Sequence, residues 1–207
     1  NRFFGALSAI NIKGDIFHIT GDTHYLISFL PSSKTILTIH DCEFILRARG
    51  LKKLLLWLFW LKIPLMKAGQ ITAISKKTKY EILSLANIDH KSIRIIEDPV
   101  SPIFSYFPLP KKKTYTKILQ IGTKQNKNIE RLAAALYGLE VKLTIIGKLN
   151  NKQIKILNSK KISYESKFDV SNEELINAYR ECNIVAFCSL SEGFGLPIIE
   201  AQSIGRP

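Results

Sequence analysis

Two acidic residues near the end of the sequence flank a loop that contains two glycines. Glu192 and Glu200 stand eight positions apart in the run Glu-Gly-Phe-Gly-Leu-Pro-Ile-Ile-Glu-Ala (192–201), which follows a predicted strand and opens a predicted helix. Gly193 and Gly195 let the backbone approach a ligand, and the free N–H groups of a helix start favour a phosphate. Glu200, one turn inside, can accept hydrogen bonds from two ribose hydroxyls, with Glu192 facing an attached group. The alternative is an ordinary loop whose helix-start Glu is favoured by the helix dipole.

A second constellation is rich in lysine and lies on another predicted strand, loop and helix. The run Gly-Thr-Lys-Gln-Asn-Lys-Asn (122–128) places Lys124 and Lys127 directly after the strand, and Asn128 at the favoured N-cap position of the helix. Each lysine offers a point charge to an anionic ligand. The alternative is that these lysines belong to a solvated surface.

His40 and Asp41 end a third predicted strand. In an open parallel sheet, ligands bind beyond the carboxyl ends of the strands, so we expect His40 to lie at a cleft. A purely structural histidine is the alternative. Asp41 either acts directly, orients His40 or caps the next segment.

The elements that position these residues alternate between β-branched apolar runs and amphipathic runs. Strands are predicted over residues 15–20, 35–40, 70–74, 92–96, 117–122, 141–147 and 183–187. Helices are predicted over residues 50–65, 76–86, 129–137, 151–158, 173–180 and 196–203. Such alternation predicts an α/β protein with doubly wound parallel sheets.

One stretch interrupts this alternation. Residues 99–116 contain four prolines and a run of three lysines at 111–113. Because proline and charge clusters of this kind are typical of linkers, we predict two domains, over residues 1–98 and 117–207.

The charge balance indicates an anionic partner. Lys and Arg number 30 against 17 Asp and Glu, a formal charge of +13, and the sequence pI is about 9.7. Such a field attracts a nucleotide diphosphate, an anionic lipid surface or nucleic acid. An interleaved aromatic and basic stripe, as single-strand binders use, is missing from the sequence, so we expect no nucleic acid.

Residues 51–66 form the most apolar segment, with lysines near its ends and Trp57 and Trp60 inside. A span needs about 20 residues, and this segment is shorter and contains Pro64. It is therefore predicted either to be a buried or partly buried helix, or to lie on an anionic membrane surface.

The cysteines indicate the cellular compartment of the protein, and the chain ends indicate whether the sequence is a piece of a longer one. Cys42, Cys182 and Cys188 form no metal-ligand spacing and are odd in number, which indicates a reduced, cytosolic compartment without structural zinc. The chain begins without Met or a signal peptide, and ends where a helix should lead to another strand. We therefore expect a piece of a longer protein.

The run at 192–201 resembles the GT-B glycosyltransferases, specifically the large retaining group called family 4, whose pattern E-G-F-G-L-P-x-x-E-A it matches at every position. The resemblance implies that Glu200 holds the ribose of a nucleotide-diphosphate sugar. Glu192, Gly193 and the backbone of Phe194 and Gly195 would contact the transferred sugar, while the main chain at Leu196 would meet the diphosphate.

The other two constellations match the same family. Gly122 begins the segment in which the family uses an Arg and a later Lys to clamp the diphosphate. Lys127 matches the Lys, whereas Thr123 stands where the Arg is usual, with Lys124 as its substitute. The segment ending in His40 and Asp41 resembles the T-x-H-D segment, whose His lies near the donor sugar. His40, Glu192 and Lys127 are thus the implied catalytic residues.

The resemblance covers about residues 15–207. It implies GT-B architecture, with two Rossmann-like doubly wound domains, both incomplete. Residues 1–98 would be the latter part of the N-terminal acceptor-side domain, 99–116 the interdomain linker, and 117–207 the first part of the C-terminal nucleotide-sugar-binding domain. Near the crossover, Asp98 and Pro99 replace the family's Asn-Gly.

The implied activity is a metal-independent, retaining transfer of sugar from a nucleotide sugar to a glycan, lipid-linked or other acceptor, without a cofactor. It would take place in the cytoplasm, with peripheral contact with an anionic membrane surface as an option. Two rivals remain: a non-catalytic basic protein that binds nucleic acid or anionic lipid, and a non-catalytic paralogue that binds a sugar nucleotide.

Overall fold

The computed structural model describes residues 12–109 and 115–207. The chain divides into two compact units, Asn1–Asp98 and Pro99–Pro207, each with its own sheet of four parallel strands. The lysine run predicted at 111–113 lies outside the described residues.

The first unit contains a sheet in the order β1-β2-β3-β4, so that neighbours along the chain are neighbours in space. Its strands are β1 (Phe17–Ile19), β2 (Thr35–Ile39), β3 (Gln70–Ala73) and β4 (Ile93–Ile95). Its helices are α1 (Glu43–Arg47), α2 (Gly50–Leu56), a π-helical segment (Trp57–Lys62), α3 (Ile63–Lys67), α4 (Lys76–Leu85) and short 3₁₀ helices at His24–Phe29, Ser32–Lys34 and His90–Ser92. All four strands predicted in this part are present, each slightly shorter than predicted.

The core of the first unit lies between this sheet and its helices. Along β2, side chains alternate between buried and partly buried positions, and Leu37 and Ile39 are fully buried. Ile45 of α1 and Ile82 of α4 pack into the same cluster. Strand β2 is therefore anchored in the core of the unit, and it fixes the position of the backbone at His40, the next residue.

Residues 50–67 form one continuous helix through the α2, π and α3 segments. Leu61, Pro64 and Leu65 near its end are buried, whereas α2 contains no buried residue. The helix is thus partly buried, as one of the two interpretations of this segment predicted.

The second unit contains a sheet in the order β7-β6-β5-β8. Its strands are β5 (Thr116–Ile121), β6 (Val141–Ile146), β7 (Ser163–Lys167) and β8 (Ile184–Ala186). Its helices are α5 (Ile129–Leu136), α6 (Asn151–Ser159), α7 (Asn172–Glu181), α8 (Leu196–Ile204) and a 3₁₀ helix at Gln125–Lys127. The chain moves outward from β5 to β6 and β7, then returns to place β8 on the other side of β5, which is a doubly wound arrangement.

Strand β7 was not predicted, because its sequence Ser-Tyr-Glu-Ser-Lys lacks the apolar run of a central strand. It is an edge strand with no buried residue, so pairing with β6 and not burial defines it. Capping boxes start the helices on either side, with Asn150 and Gln153 at α6, and Ser171 and Glu174 at α7.

Part of the predicted linker packs on the second unit. Phe104 is buried with its ring edge against Tyr179, at 5.4 Å between centroids. The buried Arg206 guanidinium donates to backbone carbonyls that include those of Phe107 and Pro108, at 2.8 and 3.2 Å. Strand β5 begins at Thr116, the last residue of the predicted linker.

Candidate functional site

The carboxyl ends of β5 and β8 lie side by side in the second unit. Ile118 pairs with Ile184, and Gln120 with Ala186, so the loops that follow the two strands leave the sheet at the same edge. This is the point at which the strand order reverses, where open α/β sheets bind ligands. The lysine-rich constellation predicted from the sequence lies in the loop after β5, and the glycine-bearing constellation lies in the loop after β8.

Lys127 and Glu192, one from each loop, form an ion pair. The Lys127 Nζ lies 2.6 Å from the Glu192 Oε1, and the two side chains are only 15% and 23% exposed. The Phe187 ring, with its centroid 5.7 Å from Nζ, covers another side of the ammonium. Residues 65 positions apart in the sequence, predicted from separate motifs, are therefore brought into direct contact.

Gly122 makes room for the Lys127 side chain. A Cβ at this position would lie 2.9 Å from the Lys127 Cε, and the backbone has a φ of +85° that disfavours other residues. The Gly122 amide also donates to the Ile146 carbonyl at 2.7 Å. The left-handed backbone therefore favours glycine at this position, and a larger residue would shift the Lys127 side chain.

Thr123 is hydrogen-bonded to neighbouring segments of the second unit, and its side chain carries no charge. Its hydroxyl donates to the Lys148 carbonyl and its own carbonyl accepts from the Gln153 side chain, both at 2.8 Å. Gly147 lies directly beside it, since a Cβ there would be 2.9 Å from the Thr123 Cγ2. Lys124 follows as an exposed residue that precedes the 3₁₀ helix.

Two asparagines fasten one loop to the other. The Asn126 side-chain amide donates to the Ser191 carbonyl at 3.0 Å and lies 3.3 Å from the Glu192 Oε1, while the Leu190 amide donates to the Asn126 carbonyl at 2.8 Å. The Asn128 amide donates to the Cys188 carbonyl at 3.1 Å. Nothing in the sequence pattern identified Asn126, because its partners lie more than 60 residues away.

Asn128 occupies the predicted N-cap position of α5 but does not cap it with its side chain. Its backbone is left-handed, with a φ of 57°, and the side chain is turned towards Cys188 instead. The prediction of the position was correct, whereas the predicted capping bond was wrong because the loop contact takes the side chain.

In the first turn of α8, Leu196 carries a backbone N–H, Pro197 has none, and the Ile198 amide donates to the Gly195 carbonyl at 2.9 Å. The N-cap of this helix is Gly195, with a φ of +102°, which supplies no side-chain acceptor, and Leu196 begins the helix with Pro197 in the first turn. Gly193 and Phe194 lie in the loop just before it. A phosphate group at this helix start stays a prediction, for which the Leu196 amide is the donor.

Glu200 is held by a residue that the sequence did not identify. The hydroxyl of Tyr179, on α7, donates to the Glu200 Oε2 at 2.6 Å. Burial raises the pKa of the fully buried Tyr179, and the hydrogen bond to Glu200 raises it further, so the hydroxyl stays protonated and donates. In the sequence, Tyr179 has the pattern of an ordinary buried residue on the inner face of α7. No motif in the sequence links it to its partner Glu200.

His40 lies in the first unit, directly after β2. Its Nδ1 is 3.8 Å from the Asp98 Oδ2, and its carbonyl accepts from the Thr78 hydroxyl at 2.9 Å. Its Nε2 is buried, and within residues 12–109 and 115–207 it has no hydrogen-bond partner. Asp41 accepts from the Glu43 amide at 2.9 Å, so it caps the next segment, one of the predicted roles.

A cavity of about 210 Å³ lies elsewhere in the second unit, between β6, β7 and α7. Several charged groups that line it have partners: Lys117 pairs with Glu181 at 2.9 Å, and Glu165 accepts from the Thr144 hydroxyl at 2.9 Å. None of the predicted site residues lines it, and we assign no ligand to it.

The residues that the structure describes contain neither a candidate metal site nor a membrane-spanning helix. Among them, no three His, Cys, Asp or Glu side chains are grouped so that they could hold a metal ion. None of their helices has both the length and the apolar character needed to cross a membrane. All three cysteines carry free thiols.

Comparison of the sequence with known families gives one match. The family described as Glycosyl transferases group 1 matches residues 104–207, which is half of the chain. No curated protein matches the chain.

Solved structures are similar in fold at low sequence identity. Anabaena Alr3699/HepE in complex with UDP and glucose is 13% identical with a TM-score of 0.75, and the match covers 100% of this chain and 61% of that one. The lipopolysaccharide outer core galactosyltransferase WaaB in its apo form is 17% identical with a TM-score of 0.66, covering 100% and 58%. WaaG, a glycosyltransferase involved in lipopolysaccharide biosynthesis, is 13% identical with a TM-score of 0.63, covering 83% and 55%.

These similarities confirm the predicted GT-B fold with Rossmann-like parallel-sheet domains. The chain spans between 55% and 61% of the length of these three structures.

Proposed function

Because this chain belongs to the glycosyl transferases group 1 family, we propose that the protein transfers a sugar from a nucleoside-diphosphate donor, held by the second unit, to an acceptor. The observation that supports this most strongly is the ion pair between Lys127 and Glu192 at the reversal point of the sheet. It joins the residue proposed to bind diphosphate to the residue proposed to face the sugar.

The donor is proposed to lie along the two loops and the start of α8. Glu200, oriented by Tyr179, accepts hydrogen bonds from the ribose hydroxyls. The N–H group of Leu196 faces the diphosphate, with Lys127 beside it. Glu192 and the backbone from Gly193 to Gly195 face the sugar.

Lys127 is proposed to assist the departure of the diphosphate. In transfer, the bond between the anomeric carbon and the diphosphate oxygen breaks, the diphosphate leaves with the electron pair, and the anomeric carbon bonds to the acceptor oxygen, which loses its proton. The negative charge that develops on the diphosphate is stabilised by Lys127, by Lys124 where it reaches the phosphates, and by the helix start, without a bound metal ion. The partly enclosed position of Lys127 strengthens this effect.

Four finer features of the proposal come from the family resemblance and from the sequence. The reaction retains the anomeric configuration, by front-face attack or through a covalent intermediate. His40, which follows β2 in the first unit, is a further proposed catalytic residue. The acceptor is a glycan or lipid-linked molecule, and the protein works in the cytoplasm or at the inner face of a membrane.

Release of nucleoside diphosphate from a panel of UDP-, GDP- and ADP-sugars, with water taking the sugar in place of the acceptor, tests this function. We expect release with at least one donor, unchanged by EDTA, and slowed at least about tenfold in Lys127→Ala because a charge at the leaving group is lost. Lys124→Ala, on the same loop but exposed, is the matched control and should be affected less. No release with any donor, or equal rates in Lys127→Ala and wild type, would reject the proposed role.

A non-catalytic basic protein is the rival, favoured by the formal charge of +13. It predicts oligonucleotide binding that weakens steeply with salt, in the absence of donor turnover. Binding of a sugar nucleotide without any release would instead indicate the non-catalytic paralogue.

A further inference from the structure

The helix over residues 50–67 of the first unit presents an apolar stripe to solvent. Five large apolar side chains along it are exposed, from Leu51 at 70% to Met66 at 75%, and the others between them are Leu54, Leu55 and Phe59. These positions follow the spacing of one helix face. The opposite face is the one that packs on the unit, through Leu61, Pro64 and Leu65.

The π-helical segment keeps the exposed apolar residues before and after it on the same side of the helix. A π turn holds more residues than an α turn, so Trp57–Lys62 shifts the faces of the helix relative to a regular α-helix. As a result Leu61 turns inward and Phe59 outward, while Met66, one to two turns later, is still exposed. Apolar residues on both sides of the helix explain why its sequence did not distinguish a buried from a surface helix.

The charge of the same helix has one sign. Residues 50–67 contain four lysines and no acidic residue, and Arg49 directly precedes them. Lys52 and Lys53 are exposed in the first turns, and the Lys62 ammonium lies 4.8 Å over the Trp57 ring at the edge of the stripe. An apolar face flanked by cations is complementary to the acyl region and the phosphates of an anionic lipid surface.

A hollow of about 290 Å³ adjoins the stripe. It is lined mainly by apolar groups, including Trp57, Leu65, Met66 and Ile88, with Lys62 among them. The Trp57 indole N–H already donates to the Leu85 carbonyl at 2.7 Å, so its ring lines the hollow without an unpaired polar group. The apolar surface therefore extends sideways from the helix.

We propose that the exposed stripe of the 50–67 helix binds an anionic lipid bilayer, with the helix lying in the plane of the interface. Leu51, Leu55 and Phe59 enter the boundary between headgroups and acyl chains, while Lys52 and Lys53 contact lipid phosphates. A protein partner would need a strongly acidic surface to match this face, whereas an anionic bilayer supplies the charge and the apolar phase together. This proposal rests on the membrane contact named under the proposed function and identifies its surface. It uses residues of the first unit only, so it can fail while the donor site of the second unit stands, and the reverse.

Sedimentation with vesicles of phosphatidylglycerol and phosphatidylcholine, compared with phosphatidylcholine alone, tests this surface. We expect the protein to bind the anionic vesicles and to release them as salt rises. Leu55→Glu combined with Phe59→Glu should weaken binding at least about tenfold, and Lys52→Ala with Lys53→Ala by about fivefold for each lysine removed. Leu139→Glu, at an exposed leucine of the second unit, is the matched control and should bind like wild type.

Absence of binding to anionic vesicles by wild type, or equal binding by the Leu55→Glu and Phe59→Glu double variant, overturns the proposal. A lower melting temperature of that double variant, together with no vesicle binding by wild type, would show that protein covers the stripe. The Lys52→Ala and Lys53→Ala variant changes exposed positions only, so it keeps the test valid should the apolar double variant fail to fold. Nucleotide binding in the second unit should be unchanged in all of these variants.

Discussion

Tyr179 acts on the donor through Glu200 in this account, since its buried hydroxyl donates to that carboxylate at 2.6 Å. We expect Tyr179→Phe to weaken binding of the preferred ribonucleoside diphosphate by about tenfold, because a hydrogen bond to a charged group is lost. The ring, and with it the packing on Phe104, is kept.

Calorimetric titration with the ribonucleotide and its 2′-deoxy analogue checks this role. If Tyr179 positions Glu200 for the ribose, Tyr179→Phe should reduce the preference for the ribonucleotide over the deoxy form. An equal loss for both nucleotides would show that Tyr179 contributes only to the stability of the unit.

Gly122 offers a second test at a single residue. Gly122→Ala places a Cβ 2.9 Å from the Lys127 Cε at a φ of +85°. We expect a loss of about 1–2 kcal/mol in the free energy of unfolding, from left-handed backbone strain, together with slower donor turnover because Lys127 is displaced from Glu192.

Gly138→Ala is the matched control, since Gly138 has a φ of +80° and nothing within 4 Å of an added Cβ. Chemical denaturation should show a similar loss of stability for both variants, whereas only Gly122→Ala should slow turnover. Equal turnover in the two variants would mean that the path of the Lys127 side chain is unimportant.

At the scale of elements, the two loops of the site are held together by side chains from the segment before α5. Asn128→Gly keeps the left-handed backbone, with its φ of 57°, but removes the amide that bonds the Cys188 carbonyl. We expect the unit to lose about 1 kcal/mol of stability, and the Leu190 amide, bonded to the Asn126 carbonyl, to exchange its hydrogen faster.

Lys161→Gly, at another left-handed position with a φ of 52° and an exposed side chain, is the control. Hydrogen exchange followed by mass spectrometry should show faster exchange around Leu190 in Asn128→Gly alone. Unchanged exchange there would contradict the view that these asparagines fasten the loops.

The predictable and unpredictable parts of the structure differ in how they are stabilised. The central strands, such as β2 and β5, are buried apolar runs and were identified from the sequence. The polar edge strand β7 was not, because its pairing depends on β6 and not on its own composition. Likewise the motifs identified Lys127 and Glu192, whereas Asn126 and Tyr179 depend on contacts distant in sequence.

At the scale of the whole molecule, the two units divide the proposed tasks. The second contains the loops, glycines and carboxylates proposed to hold the donor, while the first contains His40 and the exposed stripe of the 50–67 helix. The excess of basic residues suits both proposed ligands, since a nucleoside diphosphate and a lipid headgroup are anionic. Charge alone therefore cannot separate the two binding activities, and variants confined to one unit can.

Isothermal titration of nucleotide sugars into wild type and Glu200→Ala tests the donor site most directly. We expect at least one UDP-, GDP- or ADP-sugar to bind wild type, and its affinity to fall about tenfold or more in Glu200→Ala, which lacks the acceptor for the ribose hydroxyls. Glu173→Ala, at an exposed carboxylate in the first turn of α7, should bind like wild type. Equal affinity in Glu200→Ala and wild type, or no binding of any sugar nucleotide, would contradict the account.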